Sequence, residues 1–244
     1  MPRWVRPLLA VLALLAGAIP AFAQEKIYSY SIVHPSYGTI GTFTESIARS
    51  NGTTRIDSHV RVAVKVLGIL VHQEDGDHTE IFRGDRLVSL RGTTITNGKR
   101  LDVRGEAQGE HFVVTTPTGV IEAPADVAPS DPWLLKGRGV GTVVLIKTGR
   151  IIRMVVTGGE PAMVPLQGVM VATRHFMAHG EKQQEVWLND HDVPIKFRSV
   201  ENGTPVDFIL TSPLRDAAIA EAQLVPTAKL QPNGDKLVRS PLHP

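Results

Sequence analysis

Glu185–Leu210, EVWLNDHDVPIKFRSVENGTPVDFIL, reads as three antiparallel strands joined by two tight turns. A two-residue turn at Asn202-Gly203 sets Phe197 opposite Phe208, Ile195 opposite Leu210, and Arg198 opposite Asp207 on the other face. A turn at Asp190-His191 sets Leu188 opposite Val193, Val186 opposite Ile195, and Glu185 opposite Lys196. Both registers collect apolar residues on one face and opposite charges on the other, the arrangement that stabilises paired strands. Val186, Ile195, Phe197, Phe208 and Leu210 thus share a face that meets either an opposing wall or a bound molecule.

The same grammar recurs upstream. Asn51-Gly52 predicts a hairpin in which Ile47 meets Ile56 and Phe43 meets Val60. Further turns are expected at Asp75-Gly76, Gly84-Asp85, Asn97-Gly98, Gln108-Gly109 and Thr118-Gly119, with Lys147-Thr148-Gly149 as a hairpin turn and Gly158-Gly159 ending a strand over 150–156. Two runs, Val66–Val71 (VLGILV) and Val140–Ile146 (VGTVVLI), are apolar on both faces and predict strands covered on both sides. Pro117–Pro132 reads as a loop, because proline cannot donate to a central ladder, with a short helix over 132–136. Arg215–Leu224 reads as a second short helix, and the Pro- and charge-rich end as disordered. The fold class is all-β: an antiparallel meander of about ten to twelve strands, which at that width curls into a barrel or half-barrel. A two-sheet sandwich is the alternative.

The first 23 residues read as a secretory signal. Arg3 and Arg6 precede an apolar core over 8–16, and Ala21-Phe22-Ala23 is an A-x-A cleavage pattern. The core is shorter than the roughly 20 residues that span a bilayer. The expected domains are residues 1–23 (signal), 24–212 (β domain) and 213–244 (short helix and tail), with a periplasmic location and no transmembrane segment in the mature chain. Removing Arg3 and Arg6 takes the 26 basic residues of the chain down to 24, against 24 acidic ones. That balance gives no electrostatic reason to expect nucleic acid as a partner. The chain has no cysteine, which excludes disulfides, thiolate nucleophiles and cysteine-ligated metals.

Few motifs with a recognised chemistry occur in the chain. Lys147-Thr148-Gly149 matches one element of penicillin-recognising enzymes, yet no serine has lysine three positions on. His72, Glu74, Asp75, Asp77 and His78 (HQEDGDH) offer metal-ligand atoms but read as an exposed hairpin end. His175 and His179 lie four apart, with His191 in a nearby turn, and are the weak candidates for a metal. No catalytic residue and no cofactor is assigned. Trp133, in PSDPWLL, either plugs one end of the structure or contacts a ligand, and joins Val186, Ile195, Phe197 and Phe208 as the candidate ligand-binding set.

YSYSIVHPSYGTIGTFTESI at the start, PSDPWLL with TGRIIRMVVTGGE in the middle, and the Glu185–Leu210 block at the end resemble an uncharacterised family of exported bacterial proteins, over roughly Tyr28 to Leu210. The middle block departs from that family's Pro-Ser-aromatic-Trp form, having Asp131-Pro132 before Trp133. The resemblance implies no activity. Its strand pattern is also similar to the curved half-barrels of periplasmic lipoprotein carriers, a likeness of fold alone. The leading expectation is a non-catalytic periplasmic binding or carrier protein for an apolar, lipid-like ligand. An envelope scaffold with a filled barrel and a protein partner is the alternative, followed by a metal-dependent hydrolase.

Overall fold

Turn residues at positive φ and period-two alternation between them build one sheet in the computed structural model, which describes residues 24–134, 139–201 and 203–212. Its strands are β1 (Gln24–His34), β2 (Gly38–Ser50), β3 (Thr53–Val66), β4 (Ile69–Arg83), β5 (Arg86–Thr96), β6 (Lys99–Gln108), β7 (His111–Thr116) and β8 (Gly119–Pro124). There follow β9 (Ala128–Pro129), β10 (Val140–Val144), β11 (Ile151–Leu166), β12 (Val169–Gly180), β13 (Gln184–Leu188), β14 (Pro194–Glu201) and β15 (Thr204–Leu210). The order across the single 15-stranded sheet is β8-β7-β6-β5-β4-β3-β2-β1-β15-β14-β13-β12-β11-β10-β9. Every pairing is antiparallel except the short β9–β10 contact.

The all-β expectation holds, but the strand number and the closure do not. The sheet has 15 strands rather than ten to twelve, and it is open. β1 pairs with both β2 and β15, with Tyr30 opposite Leu210 and Ile32 opposite Phe208, so the first and last strands meet inside the sheet. The gap falls instead between β8 and β9, which do not pair and form its two edges. There is no α-helix among the described residues. The expected helix at 132–136 is a three-residue 3-10 turn, Pro132–Leu134, and the expected helix at 215–224 lies outside them. No described helix is long and apolar enough to cross a membrane.

Several local readings survive. Phe197 faces Phe208 and Arg198 faces Asp207, with two residues between Glu201 and Thr204. Asn202 itself lies outside the described residues. Ile47 faces Ile56 and Phe43 faces Val60 across Asn51-Gly52, both of which have φ in the left-handed region that this turn requires.

The β13–β14 register is slipped. Val186 faces Phe197 rather than Ile195, Glu185 faces Arg198 rather than Lys196, and Leu188 faces Pro194 across a bulge. The connection is longer than a two-residue turn because Asn189 organises it. Its buried Oδ1 accepts the backbone N–H groups of His191 and Val193 at 3.0 and 2.8 Å, and Asp192 takes a positive φ. A slip of two leaves every side chain on its expected face. Asn189→Ala strands two N–H groups, so chemical denaturation should show a loss of about 2 kcal/mol.

Asp75-Gly76 lies inside β4, and the turn is Leu67-Gly68, so VLGILV is a hairpin tip and not a strand covered on both faces. In VGTVVLI, Val143, Val144 and Leu145 are buried but Val140 is exposed. Gly158-Gly159 is a bulge within β11 rather than its end. Pro117–Pro132 is not wholly loop: it supplies β8 and β9, both at sheet edges, where proline is tolerated. The turns expected at Gln108-Gly109 and Thr118-Gly119 fall one residue away, between Gln108 and His111 and between Thr116 and Gly119.

One face of the sheet carries the core. Tyr30, Leu90, Phe112, Met154, Leu188 and Ile195 are fully buried in one cluster, each worth roughly 1.5–3 kcal/mol of apolar burial. β9 and residues 145–149 lie over the β4–β7 part of this face: Val127, Val143 and Leu145 are buried in the same cluster, and Gly149 sits against Val103, Val114 and Thr116. The opposite face is polar. Across β12–β15, His175 stacks on Trp187 with ring centroids 4.4 Å apart, Lys196 lies over Trp187 at 5.0 Å, and Arg198 bonds Asp207 at 2.6 Å.

Candidate functional site

Period-two alternation should keep acids off the core face, yet two strands place one there. In β2, Glu45 follows Phe43 and precedes Ile47, with the three facing Ser58, Val60 and Ile56 of β3. In β4, Glu80 sits between His78 and Phe82, opposite Ile56 and Leu90. Both are buried. Besides these and Glu74, which is paired with Lys147, a further buried acid, Asp131, lies close by; its Oδ1 accepts the Trp133 backbone N–H at 2.8 Å and so opens the 3-10 turn.

Glu45, Glu80 and Asp131 form one electrostatic unit. Burial pushes Glu45 well above the usual carboxylate range, and the nearby Asp131 and Glu80 push it further. Glu80 is raised well above its ordinary value by burial and then by Asp131. Burial lifts Asp131 to about 7, against the opposing pull of the Trp133 N–H and of Glu45. Neither Glu45 oxygen has a hydrogen bond of normal geometry; the Trp133 indole N–H lies close enough to favour the carboxylate but is not aligned on it, and Glu80 Oε2 is also buried without a partner. Protonated, Glu45 becomes a donor that Asp131 can accept. A proton shared between the two is therefore favoured away from water, and the pair titrates as a unit.

Glu45 and Asp131 form part of the wall of a cavity of about 180 Å³. Phe43, Phe197 and Phe208 supply an aromatic side, with Phe197 and Phe208 stacked at 4.3 Å and Phe43 edge-on to both. Leu145 and Ile146 add aliphatic surface. On the β4 side, Lys147, from the turn after β10, forms an ion pair with Glu74, which also accepts from Thr96 at 3.3 Å. His78 sits between Gly76 and Gly92, whose missing side chains make room for its ring: a Cβ at Gly92 would stand 2.6 Å from it. Burial depresses His78 to about 4, so it enters the site as a neutral imidazole near Thr94 Oγ1. Gln184 lines the same cavity with a buried, unpartnered Oε1. The arrangement can accept hydrogen bonds from a guest and exchange a proton with it.

Of the sequence-based candidates, Phe197 and Phe208 line this cavity. Trp133 packs on Tyr28 at 4.6 Å beside the carboxyl pair, and its side chain is partly buried against the core. Val186 and Ile195 are fully buried in the core cluster and do not line the cavity. His175 and His179 are not brought to one point: two residues of the same strand four apart are separated by about 13 Å. His175 instead bonds Glu185 at 3.0 Å, and His191 lies beside Asp190.

Among the described residues, one His/carboxylate group gathers ligand atoms, His59, Asp75 and Asp77, within 4.8 Å. It faces solvent on the polar side, with Asp77 bonded to His59 at 2.7 Å and Asp75 to Arg61 at 3.1 Å. These ion pairs account for it. A larger depression of about 260 Å³ on that side is lined by Arg91, Arg100, Asp102 and Arg104, and Arg100 is chelated by Asp102.

Glu45, Glu80, Asp131 and Lys147 were missed in the sequence as site residues. The available signal was an acid in the apolar phase of a strand, legible at Glu45 and Glu80; nothing local marks Asp131 or Lys147.

A family model described as a domain of unknown function (DUF6134) matches residues 30–211, nearly the span of the resemblance noted in the sequence. No curated protein matches in sequence. Among solved structures, the chain is similar to a crystal structure of a beta-barrel-like protein of a domain of unknown function, DUF1849, from Brucella abortus. The two are 11% identical with a TM-score of 0.53, covering 78% of this chain and 95% of that one. At that identity the likeness is one of fold.

Proposed function

The chain belongs to the DUF6134 family, a domain of unknown function, and on that premise we propose that it is an exported, non-catalytic binding protein for a small amphipathic molecule. Its open sheet acts as one wall of the site, and the ligand sits between the three phenylalanines and the Glu45/Asp131 pair. The observation that carries this reading is the Glu45/Asp131 pair: two buried carboxyl groups, with no cationic partner among the described residues, in the wall of an aromatic cavity. Buried acceptors of this kind cost free energy unless something donates to them. A primary ammonium group supplies three donors and a cation, and its apolar substituent suits the rings.

The cavity is small beside the roughly 300–1,000 Å³ of typical ligand sites, so a short aryl- or alkylamine fits this reading better than a long acyl chain. Calorimetric titration at pH 7 with phenethylamine and hexylamine should show binding that Asp131→Asn lowers about tenfold or more. The matched alcohols and carboxylates should bind more weakly. Equal binding of a fatty acid, or unchanged amine binding in the variant, would sink the proposal.

A filled interior favours the second reading, an envelope scaffold with a protein partner. Val186, Ile195 and Leu188 are fully buried, and close packing leaves no large ligand chamber among them. On this reading none of the amines binds, and crosslinking in intact cells captures an envelope protein instead.

A further inference from the structure

The β3–β4 hairpin stands out from the sheet. Pairing of β2 with β3 stops at Gly41 and Val62, and pairing of β4 with β5 stops at Glu74 and Thr96. The ribbon between them, residues 63–73, has the sheet ladder of its own two arms, and its base is held by Val64 packing with Ile32, Ile40 and Val206. Beyond Val64 its surface is aliphatic. Leu67 is 98% exposed and Ile69 68%, with Leu70 and Val71 also open to solvent.

Two separate costs are accepted at this tip. One is the solvent exposure of adjacent aliphatic side chains. The other is backbone strain. The Asn51-Gly52, Asn97-Gly98 and Gln167-Gly168 hairpins place a polar residue at the first left-handed position, whereas here it is Leu67, with φ 51. A leucine is poorly suited to that conformation and an asparagine well suited. Turn chemistry and solubility both argue against leucine, so its use points to a contact made by the side chain itself.

The charge around the ribbon identifies the contact. Residues 62–73, VAVKVLGILVHQ, include Lys65 and His72 and no acid. The neighbouring β5–β6 turn is tied to the ribbon base by reciprocal bonds between Gln73 and Asn97, and it brings exposed Lys99 alongside. The first acids after the ribbon, Glu74 and Asp75, are paired with Lys147 and Arg61. A convex aliphatic finger with a basic collar matches hydrocarbon beneath anionic headgroups. Its contact is non-directional, since the tip offers no polar side chain for specific pairing.

We propose that this ribbon docks the protein on an anionic lipid bilayer, with Leu67, Ile69 and Leu70 entering the acyl region and Lys65 and Lys99 meeting lipid phosphates. The surface is separate from the carboxyl cavity and does not depend on the ligand proposed for it.

The absence of cysteine in the chain allows a single label. In the full chain, Leu70→Cys carrying an NBD fluorophore should brighten and shift to the blue on adding phosphatidylcholine vesicles with about a third phosphatidylglycerol. Nitroxide on the lipid tails should quench it. A label at Asp85→Cys, in the β4–β5 turn at the opposite end, should not respond. Leu67→Asn in the labelled background should weaken partitioning about tenfold while the unfolding midpoint stays level or rises. A water-like Leu70 label in the presence of vesicles, or unchanged partitioning of Leu67→Asn, would overturn the proposal. So would a label already shielded in a lipid-free oligomer, which would make the partner a second copy of the chain.

Discussion

Asp131→Asn is expected to make the protein more stable, by an amount that grows with pH. In the folded protein Asp131 is raised from 3.8 to about 7, so the folded state holds a proton that the unfolded state releases over that range. The stability associated with this proton is fully present below pH 3.8 and is lost as pH rises to about 7. Asparagine keeps the oxygen that accepts the Trp133 N–H and has no proton to lose. The difference between variant and wild type should thus be near zero at pH 4 and grow through pH 5, 6 and 7 to a few kcal/mol, and the relief of Glu45 and Glu80 from the Asp131 charge adds in the same direction. His78, depressed from 6.5 to about 4, acts in the opposite sense, losing stability as pH falls through that interval, but it does so in both proteins and cancels in the comparison. Urea denaturation at unit pH steps measures this directly. A difference that does not change with pH, or a variant less stable at pH 8, would remove the buried-acid account of the site. Gain of stability together with loss of amine binding is the signature of a site that retains strained groups for use.

Gly41→Ala is expected to cost about 3 kcal/mol or more, an overpacking penalty at the upper end of its usual range. A Cβ at Gly41 would stand 2.1 Å from the Arg61 carbonyl oxygen and 3.0 Å from the Val62 Cα, both backbone atoms of the neighbouring strand. Neither can rotate aside, so the strands must separate where Gly41 and Val62 form the last pair of β2 with β3. That junction is also the root of the projecting ribbon. Hydrogen exchange should show loss of protection spreading from Val62 towards Val60, along with a lower thermal midpoint. Gly52→Ala is the contrasting case. Its added Cβ meets nothing within 4 Å, and its penalty comes from a φ of +72 alone. Equal costs for the two variants would show that close backbone approach is not what Gly41 provides.

The carboxyl site was half legible. Glu45 between Phe43 and Ile47, and Glu80 between His78 and Phe82, break the alternation that keeps most charge on the outer face. An acid out of phase in a strand is visible without coordinates. Its meaning is not, because Asp131 joins from a segment that appears as a polar, proline-rich connection. Lys147 belongs to the hairpin turn that the sequence predicts, and its ion pair with Glu74 reaches across to β4. The apolar run Val66–Val71 shows the reverse error. Six consecutive aliphatic or glycine residues suggest burial on both faces, whereas Leu67-Gly68 is the turn and the surrounding side chains face solvent.

Chain-local physics determined the class of the fold and the faces of its strands. Period-two alternation and turns with left-handed residues act over a few positions, so the Asn51-Gly52 hairpin and the Phe197–Phe208 and Arg198–Asp207 pairs follow from neighbours in sequence. The same rule explains its own limit: a two-residue slip leaves every face unchanged, so alternation alone could not distinguish Val186 opposite Ile195 from Val186 opposite Phe197. Only the tertiary structure decided that β1 pairs with β15, that the sheet stays open, and that Glu45, Glu80 and Asp131 share one proton-holding cluster. Those outcomes depend on contacts between distant segments, where the free energy of packing a common core selects partners that no local pattern encodes.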